Sequence, residues 1–139
     1  MKIQTTILIE PIGKARSRHR QLKDGRIIDY TPEPTLTMER IIQYHIRQRV
    51  HALGQFEAGV PLKVDIVAYR QRPKHLAKKV LFPITKPDWD NIGKLVTDSL
   101  QKYLYWNDAQ ITDGRVRKRF GDPPRIELTI EEDISGELS

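Results

Sequence analysis

The chain has 139 residues, the length of one domain, and its 38% apolar content suffices for a single core. It contains no cysteine, which excludes a disulfide framework, a thiolate zinc site and a cysteine nucleophile. Lys and Arg number 24 against 18 Asp and Glu, a net charge of +6, so a polyanion is the partner to consider.

No apolar run approaches the roughly 20 residues of a membrane span, and the amino terminus lacks the apolar segment of a signal peptide. A soluble, cytoplasmic protein with no membrane partner is therefore expected.

Residues 2–10 alternate, with Ile3, Thr5, Ile7 and Ile9 on one side and Pro11 closing the run, which predicts a strand. A basic run follows, Lys14, Arg16, Arg18, Arg20, Lys23 and Arg26, with Asp24 its only acid. Asp24-Gly25 is a turn dipeptide and residues 26–30 form a returning strand, so a hairpin flap is predicted ahead of the Thr31-Pro32-Glu33-Pro34 break. Thr37 is placed to cap a helix with the apolar stripe Met38, Ile41, Ile42, Ile46, Val50 and Leu53, and Gly54 to end it. Residues 60–69 alternate again through Leu62, Val64, Ile66 and Ala68.

A second basic run follows that strand: Arg70, Arg72, Lys74, Lys78, Lys79 and Lys86, with no acid among them. Residues 90–104 give the clearest helix, with Ile92, Leu95, Val96, Ser99, Leu100, Tyr103 and Leu104 on one face. Strands at 109–120 and 125–131 are joined by Gly121-Asp122-Pro123-Pro124. The order predicts an α+β fold, a single domain over 1–139 with two helices on a small mixed sheet. Residues 132–139 are an acidic tail, expected to be frayed from 134 to 139.

A single basic run reads as a solvated loop. Two runs holding half of the 24 basic residues make a phosphate-binding surface if the fold brings them to one side. The candidates for DNA backbone contact are Lys14, Arg16, Arg18, Arg20, Arg72, Lys74, Lys78, Lys79 and Lys86. His19 and His75 lack metal-ligand spacing and read as surface residues.

The segment Lys86-Pro87-Asp88-Trp89-Asp90-Asn91 carries the candidate chemistry. If it enters the second helix as an extended piece, Asp88 and Asp90 point one way and Trp89 the other, with the indole buried as an anchor. Two adjacent carboxylates suit a hard divalent cation, Mg²⁺ or Mn²⁺; they suit helix capping equally well. Asp108 in Trp106-Asn107-Asp108-Ala109-Gln110 reads locally as a turn residue. It joins the acidic pair only if the strand after it lies beside the strand before the helix. Lys94 and Asp98 continue the Asp90 face at i+4 steps, either as an ion-pair ladder or as a phosphate-stabilising lysine oriented by Asp98.

These residues resemble the RusA family of Holliday junction resolvases, small phage and prophage endodeoxyribonucleases. The resemblance rests on Asp88-Trp89-Asp90-Asn91 with Lys94, on Asn107-Asp108-Ala109-Gln110-Ile111 before a hairpin, and on Pro11-Ile12-Gly13-Lys14-Ala15-Arg16-Ser17-Arg18 with Tyr30-Thr31-Pro32. It implies a RusA-like fold, Asp88, Asp90 and Asp108 as metal-binding carboxylates, and Lys94 as the catalytic lysine. It also implies Mg²⁺ dependence with Mn²⁺ as substitute and no organic cofactor. The implied assembly is a homodimer that nicks four-way DNA junctions in symmetric pairs, in recombination and repair within a bacterial or phage-infected cell. The competing readings are a non-catalytic DNA-binding module, a nuclease for flaps and forks, and a structural protein that its charges keep in solution.

Overall fold

A computed structural model describes residues 1–14, 18–30 and 32–138, apart from the side chain of His51. Candidate Arg16 lies outside the described residues. The first strand, β1 (Lys2–Ile7), turns Ile3, Thr5 and Ile7 inward and the alternate residues outward. It ends at Ile7, where the Ile9 N–H bonds back to the Ile7 carbonyl, shorter than the alternation predicts.

The basic flap is a hairpin of β2 (Arg18–Gln21) and β3 (Ile27–Tyr30), paired antiparallel with Arg18 opposite Tyr30. Gly25 closes it at φ +87°, a conformation that glycine adopts without steric cost. The hairpin is a two-stranded sheet of its own, separate from the main one.

Helix α1 (Glu33–Leu53) begins more than a turn before Thr37. The sequence reads the prolines as a break, but Pro34 falls in the first helical turn, where an N–H would have no intrahelical partner. Ile42 and Ile46 are buried, whereas Ile41 and Leu53 are 42% and 43% exposed, so the apolar stripe is narrower than the sequence indicates. Gly54 ends the helix as expected, with φ +83° and its N–H on the Val50 carbonyl.

Strand β4 (Leu62–Arg70) leads through the second basic loop to α2 (Trp89–Leu100), then to a single 3₁₀ turn (Asp108–Gln110) and β5 (Ile111–Phe120). The last strand is β6 (Arg125–Glu132). Helix α2 stops short of the predicted residue 104: Gln101 leaves helical geometry and Lys102 takes φ +74°. Leu104 stays buried and Tyr103 partly so because the turning chain folds back onto the core, and that mimics a continuing helical stripe.

The main sheet has the order β1-β6-β4-β5, with β4 and β5 parallel and the other pairs antiparallel. Its core face is Ile3 and Ile7, Leu62, Val64, Ile66 and Ala68, and Ile126, Leu128 and Ile130. Ile92, Leu95, Val96 and Leu100 of α2 close over that face with Ile42 and Ile46 of α1. The opposite face is polar and includes an Arg117–Asp65 ion pair at 3.0 Å. Asp133, just past β6, donates its N–H to the Pro61 carbonyl and accepts from the Thr112 hydroxyl, so the start of the acidic tail is tied to the domain. No helix among the described residues is long and apolar enough to cross a membrane.

Candidate active site

The parallel β4–β5 pairing meets the condition set by the sequence: the strand after Asp108 lies beside the strand that precedes α2. Asp88 is the N-cap residue of α2, in extended geometry, but its side chain caps nothing. Among the described residues neither the Asp88 nor the Asp90 side chain has a hydrogen-bond or ion-pair partner, and both residues are exposed. Capping therefore does not account for Asp88.

The expected alternation is not what forms. Trp89 is already helical, so successive side chains step around an axis at 3.6 residues per turn instead of flipping by half a turn. Trp89 is 61% exposed, not an apolar anchor, and it lines the same cavity as Asp90.

That cavity, about 390 Å³, runs along α2 past Gly93 and Thr97 to Asp108, with Val116 and Arg115 of β5 on its other wall. It brings Asp90 and Asp108 to one space; Asp88 is not part of its lining.

Asp108 is held by its neighbours. Asn107 accepts from the Ala109 N–H at 2.8 Å, while the Gln110 side-chain oxygen accepts from the N–H of Asn107 and Trp106. The Gln110 amide then donates to the carbonyls of Glu57 and Val60, pinning the turn to the body of the domain. The Tyr105 hydroxyl lies 2.7 Å from both the Thr97 carbonyl and Asp108 Oδ1.

Burial, and then the Asp108 carboxylate, push the Tyr105 phenol far above its ordinary range, so it stays a neutral donor. Burial and the nearby Asp98 carboxyl push Asp108 itself upward, against the opposing pull of Tyr105 and Lys14. A carboxyl that ionises reluctantly beside a second acid is a place where a cation lowers the electrostatic cost.

Lys14, expected to contact DNA, instead bridges Asp98 at 2.8 Å and Glu39 at 3.0 Å. Partial burial pulls its ammonium down, but the two carboxylates outweigh this and its pKa rises. The i+4 ladder does not form: Asp98 orients Lys14, not Lys94, and Lys94 is exposed with no partner among the described residues. Lys14 also donates its backbone N–H to the Asn91 carbonyl. A Cβ on Gly13 would lie 2.9 Å from Asn91 Cβ, so only glycine lets this segment lie so close to the start of α2.

The remaining predicted DNA contacts sort into two kinds. Arg72 donates to the Val80 and Ala77 carbonyls and stacks on Phe120, so it braces the second basic loop. Arg70 and Lys118 brace it too, through the Lys86 and Thr85 carbonyls. Lys74, Lys78, Lys79 and Lys86 are exposed, and no side-chain partner engages them among the described residues; Arg18 and Arg20 are likewise exposed on the flap.

Sequence reasoning missed Tyr105 and Gln110 and misassigned Lys14. Gln110 had a readable signal, since Asn107 and Gln110 have the N-cap to N3 spacing of a capping box.

Among the described residues no three His, Asp or Glu side chains are gathered closely enough to hold a metal by themselves. The donor set nonetheless suits Mg²⁺, which takes one or two protein carboxylates and completes its shell with water and phosphate. Asp90 and Asp108 offer hard oxygens on one cavity, and Asp88 offers an unengaged carboxylate beside it.

A small α+β domain that sets two carboxylates on one open cavity, and that carries exposed lysines without side-chain partners among the described residues, has the makeup of a nucleic-acid hydrolase. The chain belongs to the endodeoxyribonuclease RusA family, whose model matches residues 9–131. It is also similar to an uncharacterized protein, YqaN, of Bacillus subtilis (strain 168), with 29% identity over 140 aligned positions spanning 94% of this chain and 96% of the relative.

Proposed function

We propose that this nuclease is an Mg²⁺-dependent, structure-selective endonuclease that resolves four-way DNA junctions by paired symmetric nicks, with Mn²⁺ able to substitute. The observation that carries the reading is the cavity shared by Asp90 and Asp108; the Asp88 and Lys94 side chains, on the same helix as Asp90 but outside that lining, engage no partner among the described residues. Asp88, Asp90 and Asp108 would hold the ion. When bound, Mg²⁺ neutralises charge on the scissile phosphate and lowers the pKa of a coordinated water.

The chain's own groups have distinct tasks. Lys94, one turn beyond Asp90, presents an ammonium to the non-bridging oxygens, where negative charge grows as the P–O bond breaks. Tyr105 donates to Asp108 and fixes which oxygen faces the cavity. The free lysines of the second basic loop and the arginines of the flap hold the DNA backbone without reading bases, as selectivity for shape requires. A four-way junction has approximate two-fold symmetry, so a homodimer would present two such sites to opposed strands.

A mobile four-way junction incubated with Mg²⁺ or with EDTA tests the proposal, with a flap, a fork and a linear duplex as competitors. Symmetric nicks that need the metal and favour the junction are expected; preferential cleavage of the flap or fork would reassign the substrate. Asp90→Asn is expected to keep junction binding within about threefold, since the basic surface is untouched, and to lower Mg²⁺-dependent cleavage by at least about a hundredfold. Cleavage at the wild-type rate by Asp90→Asn would refute the role of that carboxylate.

A further inference from the structure

A second cavity, about 340 Å³, lies under the basic loop and is lined chiefly by Leu76, Val80, Phe82, Pro83, Ile84 and Phe120. Its walls are apolar, yet Phe82 is 52% and Ile84 86% exposed, and Leu81 beside them is 69% exposed. This apolar surface sits in the longest acid-free stretch of the chain. From residue 66 to residue 87 there is no acid, and Lys74, Lys78, Lys79 and Lys86 have no side-chain partners among the described residues.

The aromatic rings are held in place. The Arg119 guanidinium lies 5.1 Å from the Phe82 ring centroid and that of Arg72 lies 5.2 Å from Phe120. Arg70, Arg72 and Lys118 tie the loop backbone down. The exposed apolar surface is thus a braced feature, not a collapsed or unformed one.

We propose that this cavity receives a single DNA nucleobase lifted out of pairing, with the flanking phosphates on the loop lysines. The inference rests on the reading of the protein as a nuclease of branched DNA. The argument is one of complementarity: each nucleotide of a single strand carries a flat aromatic ring and an anion, and the loop presents an aromatic cleft rimmed by cations. A paired base inside a duplex cannot enter, whereas a base at a branch point, a fork or a strand end can.

The placement fits as well. Ile84 is four residues before Asp88, at most about 14 Å of extended chain, so the received base would lie within about four nucleotides of the metal-binding acids. The pocket would then supply the selectivity for shape that phosphate contacts alone do not give.

The test measures binding by anisotropy, in EDTA, of a labelled thymidine single strand and of a duplex of equal length. A single strand carrying one 5-iododeoxyuridine is photo-crosslinked in parallel, and the adduct is mapped by mass spectrometry. The expected result is a crosslink within residues 71–86. Phe82→Ala should weaken single-strand binding about tenfold while duplex affinity stays within about twofold. Phe82→Leu preserves the apolar wall and should behave as Phe82→Ala does, whereas Phe82→Tyr should restore binding. Lys78→Ala with Lys79→Ala should weaken both substrates equally.

Equal loss on both substrates for Phe82→Ala, no loss on either, or a crosslink elsewhere overturns the proposal. So does a Phe82-dependent monomer–dimer equilibrium, or Phe82-dependent binding to phosphatidylserine vesicles, with single-strand binding unchanged. The single-strand readout needs neither metal nor junction. Failed junction cleavage with an intact crosslink therefore removes the resolvase reading alone, and intact cleavage without the crosslink removes the pocket alone.

Discussion

Lys14 shows how one cation is fixed by its surroundings. It is matched to Asp98 and Glu39 in a partly buried triad that joins the segment after β1 to both helices. Lys14→Met leaves two carboxylates facing each other without a counter-charge and should cost about 1–2 kcal/mol in urea unfolding. Lys14→Arg should recover most of that loss, and adding Asp98→Asn to Lys14→Met should recover part of it. An unfolding midpoint unchanged in Lys14→Met would show that the triad contributes nothing.

His45 provides the pH dependence. Its Nε2 hydrogen-bonds the Thr5 hydroxyl at 2.7 Å, and burial, followed by the nearby Arg49 cation, lowers its pKa below the ordinary 6.5. The unfolded chain therefore takes up this proton at a higher pH than the folded one. Stability that is present above pH 6.5 is lost as the pH falls from there toward the folded value. His45→Gln keeps a hydrogen-bonding group opposite Thr5 and should remove this component. Urea unfolding from pH 7.5 to 5 should show the wild type losing ground to the variant; parallel curves would contradict the assignment.

Element by element, the strands were the most legible part of the sequence. The alternation at Leu62, Val64, Ile66 and Ala68 marks a surface with one buried face, and β4 forms there with those four residues inward. The helix ends were less legible, for separable reasons. Pro34 reads as a break although the first turn of a helix accepts proline, and Tyr103 and Leu104 keep a helical rhythm although the backbone has already turned at Lys102.

Asp88, Asp90 and Asp108 stood out as candidates by residue type, and the condition set for Asp108, a strand after it beside the strand before α2, is met by β4 and β5. The Tyr105–Asp108 and Lys14–Asp98 contacts were not legible, since each joins groups whose sequence neighbourhood says nothing of the partner.

The segment over 10–14 has its own prediction. Gly13→Ala would set a methyl group 2.9 Å from Asn91 Cβ and 3.1 Å from Pro87 Cβ, so the segment must shift off the start of α2. Overpacking of this kind costs about 1–3 kcal/mol. It should also lower cleavage more than DNA binding, because the displaced residues adjoin Asp88 and Asp90, whereas of the free loop lysines only Lys86 is next to them in the chain. Loss of binding and cleavage in equal measure would argue for general unfolding instead.

At the scale of the molecule, charge is divided between bracing and binding. Arg70, Arg72 and Lys118 engage carbonyls of the loop, while the side chains of Lys74, Lys78, Lys79 and Lys86 have no partner among the described residues and, in the proposed function, take phosphate. Junction affinity should therefore fall steeply with salt. Lys78→Ala with Lys79→Ala should reduce the slope of log affinity against log salt by about two, one phosphate contact for each lysine removed. Arg72→Ala should instead lower the thermal midpoint and leave the slope nearly unchanged. A slope that responds equally to both changes would mean that the two kinds of cation are not distinct.

The main sheet ends at β5, whose outer side has no neighbouring strand among the described residues and which carries Arg115, Arg117, Lys118 and Arg119 in close succession. Backbone donors and acceptors left open along such a margin would accept a strand from another molecule. Here a newcomer of the same sequence in parallel alignment would stack arginine on arginine, and that repulsion opposes the pairing. Added electrolyte weakens that repulsion as surely as it weakens the hold on DNA, so the conditions that strip this protein from its substrate are also those in which its molecules are least protected from one another.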